Sequence, residues 1–276
     1  MTKVSVSRIT IFPIKSLDGV SVSSSVVLDS GALEFDRELA LCDRDGTWVN
    51  GKRDPRIHLI RAEYDLEIGS VRLQSPASFP DWHKFELRGE RKEMEEWFSD
   101  YLKMHVVVQE NRLSGFPDDT HALGPTIIST GTLSELDRWF GFDDLEETRR
   151  RLRTNIELDV LIPFWEDRLF GSQQDPPEFR IGEASFLGSG PCKRCVVPTR
   201  NSLTGESAAR FAETLSSRRK ETLPPWATLD RFGSFFYRVA VNTQPPKKVT
   251  RACVAVGDLL TQKSEESRRE ERFAER

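Results

Sequence analysis

Apolar and polar residues alternate with period two from Val4 to Ile14 and again from Val20 to Leu28. That is the signature of strands with one face in a core and the other in water. The same character recurs in short pieces along the chain. Glu38 to Val49 reads as a hairpin turning at Asp43-Arg44-Asp45-Gly46, and Leu59 to Leu73 as another turning at Gly69-Ser70. Strand-like runs follow at His105–Val108, Asn155–Leu161, Phe179–Ile181, Ala184–Leu187, Cys195–Thr199 and Phe235–Val241. Helical spacing is confined to a few segments. These are Glu93–Leu102, a short helix over Leu133–Phe140 with a Thr132/Glu135 capping box, Asp143–Leu152, and Ser207–Lys220. Many short strands and few helices predict a β-rich α+β fold, barrel-like, with helices packed outside. A doubly wound parallel sheet is disfavoured, and no G-x-G-x-x-G or Walker A pattern occurs.

Length and charge narrow the function. The 276 residues suit two modest domains, and the loop over 112–125 is a plausible seam. A formal net charge of -4 argues against a general polyanion binder, so no nucleic-acid partner is expected. The segment Met1-Thr2-Lys3-Val4-Ser5 leads straight into strand sequence rather than a signal peptide. No window approaches the roughly 18 apolar residues of a membrane helix. A cytoplasmic protein with no membrane partner is the expectation. The tail from Ser264 is nearly all charged and reads as frayed helix or disorder.

The four cysteines, Cys42, Cys192, Cys195 and Cys253, are too few for a disulfide scaffold. Cys192 and Cys195 form a C-x-x-C pair that admits several readings. Half of a zinc site would need a second pair or clustered histidines, and His58, His83, His105 and His121 are scattered. A thioredoxin-like redox pair would sit at a helix N-terminus, whereas Val196-Val197-Pro198-Thr199 reads as strand and turn. A single thiolate on a soft, high-valent metal centre is a third reading, with Lys193 and Arg194 favouring an anionic cofactor beside it. Two ordinary buried cysteines are the fourth. Glu166-Asp167 reads as structural, because adjacent strand residues face opposite ways. The aromatic stripe Met94, Trp97, Phe98, Tyr101 reads as core.

The order of short motifs decides among these. Arg153-Thr154-Asn155, Glu166-Asp167, Arg180-Ile181-Gly182, Pro191-Cys192-Lys193-Arg194-Cys195, Thr204-Gly205 and Val256-Gly257-Asp258 occur in the sequence of the MOSC domain, the C-terminal domain of molybdenum-cofactor sulfurases, which this stretch resembles. Phe12-Pro13-Ile14-Lys15-Ser16, Gly19-Val20, Asp36-Arg37 and Arg53-Asp54-Pro55-Arg56 look like the β-barrel domain preceding MOSC in the amidoxime-reducing family. That family includes the mitochondrial amidoxime reducing component and bacterial relatives acting on hydroxylaminopurines. The resemblance implies an N-terminal β-barrel domain over 1–120, a MOSC-type barrel with peripheral helices over 121–262, and a charged tail over 263–276.

It also implies chemistry. Cys195 would be the molybdenum ligand and the catalytic residue, with Cys192 a neighbour. Lys15, Ser16, Arg37, Ser129, Thr130, Arg153, Asn155, Lys193 and Arg194 would hold the molybdenum cofactor, a molybdopterin ending in phosphate; Arg forks, a Lys charge and hydroxyls suit that task. Binding of a pyridoxal-phosphate-like group is not expected. The implied activity is reduction of small N-hydroxylated compounds, amidoximes or N-oxygenated bases. A non-catalytic carrier or sulfur-transfer protein is the alternative. No cysteine-rich extension follows Val256-Gly257-Asp258, so electrons are expected from a separate donor, a flavin or iron–sulfur protein.

Overall fold

The first strand, β1 (Val4–Ile11), buries Val4, Val6, Ile9 and Ile11 and leaves the residues between them wholly or partly accessible, its alternation slipping by one residue at the irregularity between Val6 and Arg8. The computed structural model describes residues 3–89, 91–142, 144–247 and 251–262. In chain order come β2 (Val20–Val22), β3 (Ser24–Val27), β4 (Leu39–Cys42), β5 (Arg61–Asp65), β6 (Ser70–Gln74), β7 (His83–Glu86), α1 (Lys92–Leu102) and β8 (Val107–Glu110). The second half adds β9 (Ile127–Ser129), α2 (Thr130–Phe140), α3 (Leu145–Leu152), β10 (Ile156–Leu158), β11 (Glu178–Ile181), β12 (Ala184–Lys193), α4 (Phe211–Glu221), β13 (Arg238–Gln244), β14 (Ala252–Ala255) and β15 (Leu259–Gln262).

Seven strands close a barrel in the order β10-β9-β13-β12-β11-β15-β1, with β1 pairing back onto β10 and β2 added outside β1. Only the β9–β10 pair is parallel; the others are antiparallel. The fold is thus α+β and β-rich, with a closed barrel. Its interior holds Val6, Ile9, Ile127, Ile156, Leu158, Phe179, Phe186 and Val241. Strand pairing runs across the 112–125 loop, because β1 from the start of the chain fills the gap between β10 and β15. A second core, including Ile14, Leu41, Ile57, Leu73, Met94, Phe98 and Val108, lies among β4, β8, the β5-β6-β7 sheet and α1. Met94 and Phe98 are fully buried there, so the aromatic stripe is core. A third cluster packs α2 and α4 on the barrel, with the Phe140 and Phe211 rings stacked 4.0 Å apart.

Several local expectations are corrected. The run from Val20 to Leu28 breaks at Ser23 into β2 and β3, which pair with different partners. The Glu38–Val49 hairpin turns at Asp43–Gly46 as expected, closed by Asp43 N to Thr47 O at 2.9 Å, Val49 N to Leu41 O at 2.8 Å and the Cys42–Trp48 bridge, but its return arm is short and the ladder of β4 is made with β8. The helix expected at Leu133 starts at Thr130, because Ser129 rather than Thr132 is the cap, its hydroxyl accepting the Thr132 amide. The strand expected at Cys195–Thr199 is a 3-10 turn over Val197–Thr199, and the preceding strand continues to Lys193. Asp143 and the charged tail lie outside the described residues.

Glu166 and Asp167 sit on a 3-10 turn, Trp165–Leu169, and both are buried. Asp167 pairs with the buried Arg219, whose guanidinium also covers the Phe164 ring at 4.0 Å. Glu166 Oε2 accepts from the Ser129 hydroxyl at 2.7 Å and the Thr132 hydroxyl at 2.9 Å, tying the start of α2 to the barrel. Burial, joined by the Asp167 charge, pushes Glu166 up to about 7. A glutamate in the unfolded chain ionises near 4.5, so the folded chain holds this proton more tightly. Stability therefore falls as pH rises from about 4.5 to about 7 and levels off above. Glu166→Gln keeps the neutral shape and removes that slope. Chemical denaturation should show the variant gaining on the wild type between about pH 5 and pH 8; parallel curves would contradict the assignment.

Candidate functional site

One rim of the barrel gathers the chemistry. β1 ends there at Ile11 and runs into Phe12-Pro13-Ile14-Lys15-Ser16. α3 ends there at Arg153, just before β10, and β12 ends there at Lys193. A cleft of about 600 Å³ opens between them, covered on one side by the 114–124 loop. Of the expected site residues, Lys15, Ser16, Arg37, Arg153, Asn155, Lys193, Arg194 and Cys195 line it.

Ser129 and Thr130 do not. Ser129 is fully buried at the α2 cap against Glu166, and the Thr130 hydroxyl donates to Glu157 at 2.9 Å. Both hydroxyls hold a helix to the barrel and lie outside the cleft lining.

Local backbone explains how the cleft is shaped. Ser16, Arg37 and Arg153 all have positive φ, at 76°, 53° and 53°. Left-handed backbone at non-glycine residues costs free energy and clusters at functional sites. Here it follows from sharp exits: Arg153 is the left-handed C-cap of α3, and Arg37 donates its amide to Phe12 O at 2.8 Å. The two guanidinium groups both stack on Phe12, with Cζ 5.1 Å (Arg37) and 4.3 Å (Arg153) from the ring centre. Arg37 is neutralised by Asp36 and also reaches Asn155 Oδ1 at 3.5 Å and Arg153 O at 3.2 Å. Arg153 is different: its Nη2 is buried without a partner. Burial, then Arg37, pushes the Arg153 guanidinium down to about 10. Arg153 is thus a buried guanidinium with donor capacity left over.

Cys195 is partly exposed, and its sulfur accepts the Val197 amide at 3.5 Å, while its carbonyl takes the Tyr237 hydroxyl at 3.0 Å. Burial pushes that Tyr237 hydroxyl up to about 12, so it stays protonated. Arg194 turns inward. It donates to Cys192 Sγ at 3.2 Å and to Leu152 O, and its Nε is buried without a partner. Cys192 packs partly against the third core cluster. Lys193 points outward with Nζ 5.0 Å from the Phe235 ring. Asn155 is fully buried; it accepts from Thr126 and donates to Thr10 O at 3.1 Å, so its task is to pin strands and steady Arg37.

The sequence reading missed Lys52, His58, Asp118 and Arg151, which also line the cleft. Asp118 Oδ1 and Oδ2 lie 2.8 Å from Lys15 Nζ and 3.0 Å from Lys52 Nζ. Burial works against its ionisation, but Lys15 and Lys52 hold Asp118 far below the usual carboxylate range. Burial lowers Lys15, with Asp118 opposing. Nothing in the linear pattern singles out Asp118, which falls in a stretch of punctuating loop residues. Among the described residues no group of three or more His, Cys, Asp or Glu is placed to hold a metal.

Comparison with known proteins agrees with this architecture. Residues 3–105 match the MOSC N-terminal beta barrel domain. Across most of its length it is similar to proteins named molybdenum cofactor sulfurase. That of Drosophila grimshawi is 24% identical over 285 residues, covering 92% of this chain and 34% of the relative. That of Oryza sativa subsp. japonica is 25% identical over 268 residues, covering 80% and 32%. The chain thus spans about a third of the length of these relatives. The crystal structure of the Bacillus subtilis YUAD protein aligns over 94% of each chain at 12% identity and a TM-score of 0.37, too weak a likeness to bear on function.

Asp118 acts as an internal counter-ion for two cleft lysines. Asp118→Asn should bind inorganic phosphate several-fold more tightly than the wild type at pH 7. The difference should shrink as salt rises, because it is Coulombic. Titration calorimetry at low and high sodium chloride reads this out; equal affinities would contradict it.

Proposed function

We propose that this cleft binds a molybdenum–pterin cofactor through Cys195 and that the protein reduces small N-hydroxylated compounds. The observation that carries the reading is the partly exposed Cys195 thiol set among cations drawn from both halves of the chain, two of them with buried N–H groups lacking any partner: Arg153 Nη2 and Arg194 Nε. The donor set fits such a group. Because no cluster of protein ligands surrounds Cys195 among the described residues, a metal bound there has to bring its other ligands with it. A pterin dithiolene does so, and its phosphate is the anion that Arg153 lacks.

When bound, the cofactor supplies two-electron chemistry at an N–O bond. The chain's own residues bind and orient. Cys195 contributes a thiolate, held in place by the Val197 amide at its sulfur and by Tyr237 at its carbonyl. Arg37 and Arg153 present planar donors across Phe12. Asp118 yields Lys15 and Lys52 to an incoming anion. The overall change is R–NHOH + 2e⁻ + 2H⁺ → R–NH2 + H2O. Electrons come from a separate flavin or iron–sulfur protein and protons from water. Neither nucleic acid nor membrane is a partner in this reading; among the described residues no helix is long and apolar enough to cross a membrane. A cytoplasmic location suits it.

A second reading, a carrier or sulfur-transfer protein for the same cofactor, draws support from Cys192. It also lines the cleft and takes a hydrogen bond from Arg194 Nη1 at 3.2 Å, and the relatives carry the name sulfurase. The two readings part on turnover. Freshly purified protein should contain molybdenum and pterin; Cys195→Ser should lose the metal and Cys192→Ser should keep it. With an artificial electron donor, the loaded wild type should convert benzamidoxime to benzamidine. Loaded protein that does not turn over supports the carrier, and zinc in place of molybdenum would sink both.

A further inference from the structure

Beside the main cleft lies a second hollow of about 360 Å³, and the two share Asp119, His121, Ala122 and Asn242 as common wall. The two hollows are therefore adjacent. The floor of the second is built by irregularities of β12. The β12–β13 register slips between Gly188 and Gly190 and again between Pro191 and Lys193. Gly190 has φ +141°, a conformation that L side chains rarely adopt, and a Cβ there would fall 2.5 Å from Arg231 Nη2. The absent side chain is the seat of the Arg231 guanidinium. Arg231 is held by the carbonyls of Gly171, at 3.0 Å, and Ser189. Arg238, the cross-strand partner of Lys193, donates to the carbonyls of Pro191 at 3.1 Å and Phe235 at 3.2 Å.

Two guanidinium groups thus line one small hollow, and among the described residues neither has a carboxylate partner. Burial, then Arg238, pushes Arg231 down from its ordinary value. Among the described residues the only carboxylate in the wall is Asp119. It is engaged by Asn242 Nδ2 at 3.0 Å and by the His121 amide at 3.0 Å. Each arginine keeps further N–H donors beyond those spent on backbone carbonyls, because a guanidinium carries five. Fixed donors of one sign, next to an open cleft, suit a carboxylate or phosphate.

Building on the reductase reading, we propose that this hollow is a specificity subsite for an anionic tail. The substrates it selects are N-hydroxylated compounds carrying a carboxylate or phosphate remote from the N–O bond. Arg231 and Arg238 bind the tail while the N-hydroxyl group lies in the main cleft. They are specificity residues and take no part in the reduction.

The test compares benzamidoxime with 4-carboxybenzamidoxime, which share the reacting group and differ in one charge. Binding is measured by calorimetry on the purified protein with no electron donor present, so it does not depend on turnover. The carboxylate probe should bind about tenfold more tightly, the scale of one charge-assisted hydrogen-bonded contact. Arg238→Gln and Arg231→Gln should each reduce that preference toward unity and leave the neutral probe unchanged. Both arginines also tie backbone carbonyls, Arg231 those of Gly171 and Ser189 and Arg238 those of Pro191 and Phe235, so a thermal melt is recorded for each variant and the one that keeps the wild-type melt is decisive. Equal binding of the two probes by the wild type, or a preference that survives Arg238→Gln, would overturn the subsite. If acidic polyglutamate binds in an Arg238-dependent way while the small probes do not discriminate, the hollow docks an acidic protein and the subsite is again overturned. Loss of reduction with the binding preference intact retires the reductase reading alone. Reduction of both probes without preference retires the subsite alone.

Discussion

Asn155 is the tie on which both barrel and cleft depend. Its buried amide donates to Thr10 on β1 and accepts the amide and hydroxyl of Thr126 just before β9, while its own backbone leads into β10. Three strands from distant parts of the sequence are fixed at one point. The same oxygen steadies Arg37, which in turn bonds the Arg153 carbonyl. A buried amide with all its partners is costly to disturb, because any loss leaves polar groups stranded away from water. The barrel closes and the cationic rim is organised by one set of bonds.

That rim is rich in cations. Arg37, paired with Asp36, and Arg153 both lie over the Phe12 ring, Arg153 has an unpartnered N–H, and Arg194 has another. Other cations are spent on carboxylates, as in Arg88 with Glu38 and Arg149 with Glu157, while Arg8, Arg200 and Arg219 carry unpartnered buried N–H groups of their own. Asp118 sits between the two cases, since it neutralises Lys15 and Lys52 from a loop rather than from the core.

Much of this was legible in the sequence where the determining interaction is local. Period-two alternation marked β1, and the Gly69-Ser70 turn marked the β5–β6 pair. Interactions between distant segments were not legible. The parallel β9–β10 pair and the return of β15 to β1 are set by barrel closure, and β9 and β10 are only three residues long. At the site, the order of motifs brought eight expected residues to one cleft. Ser129 and Thr130 stand nearby in sequence but face Glu166 and Glu157, because a cap and a cofactor hydroxyl look alike in one dimension. Arg231 and Arg238 carried no motif at all. Their meaning comes from the bulges of β12 and the missing side chain of Gly190.

The central claim is that Cys195 is the chain's own ligand to molybdenum. X-ray absorption at the molybdenum edge tests it most directly, on wild type and on Cys195→Ser reloaded with cofactor. The account predicts one fewer sulfur in the metal's first coordination sphere of the variant, replaced by a lighter scatterer, and no such change in Cys192→Ser. An unchanged sulfur shell in Cys195→Ser, or its loss in Cys192→Ser instead, would contradict it.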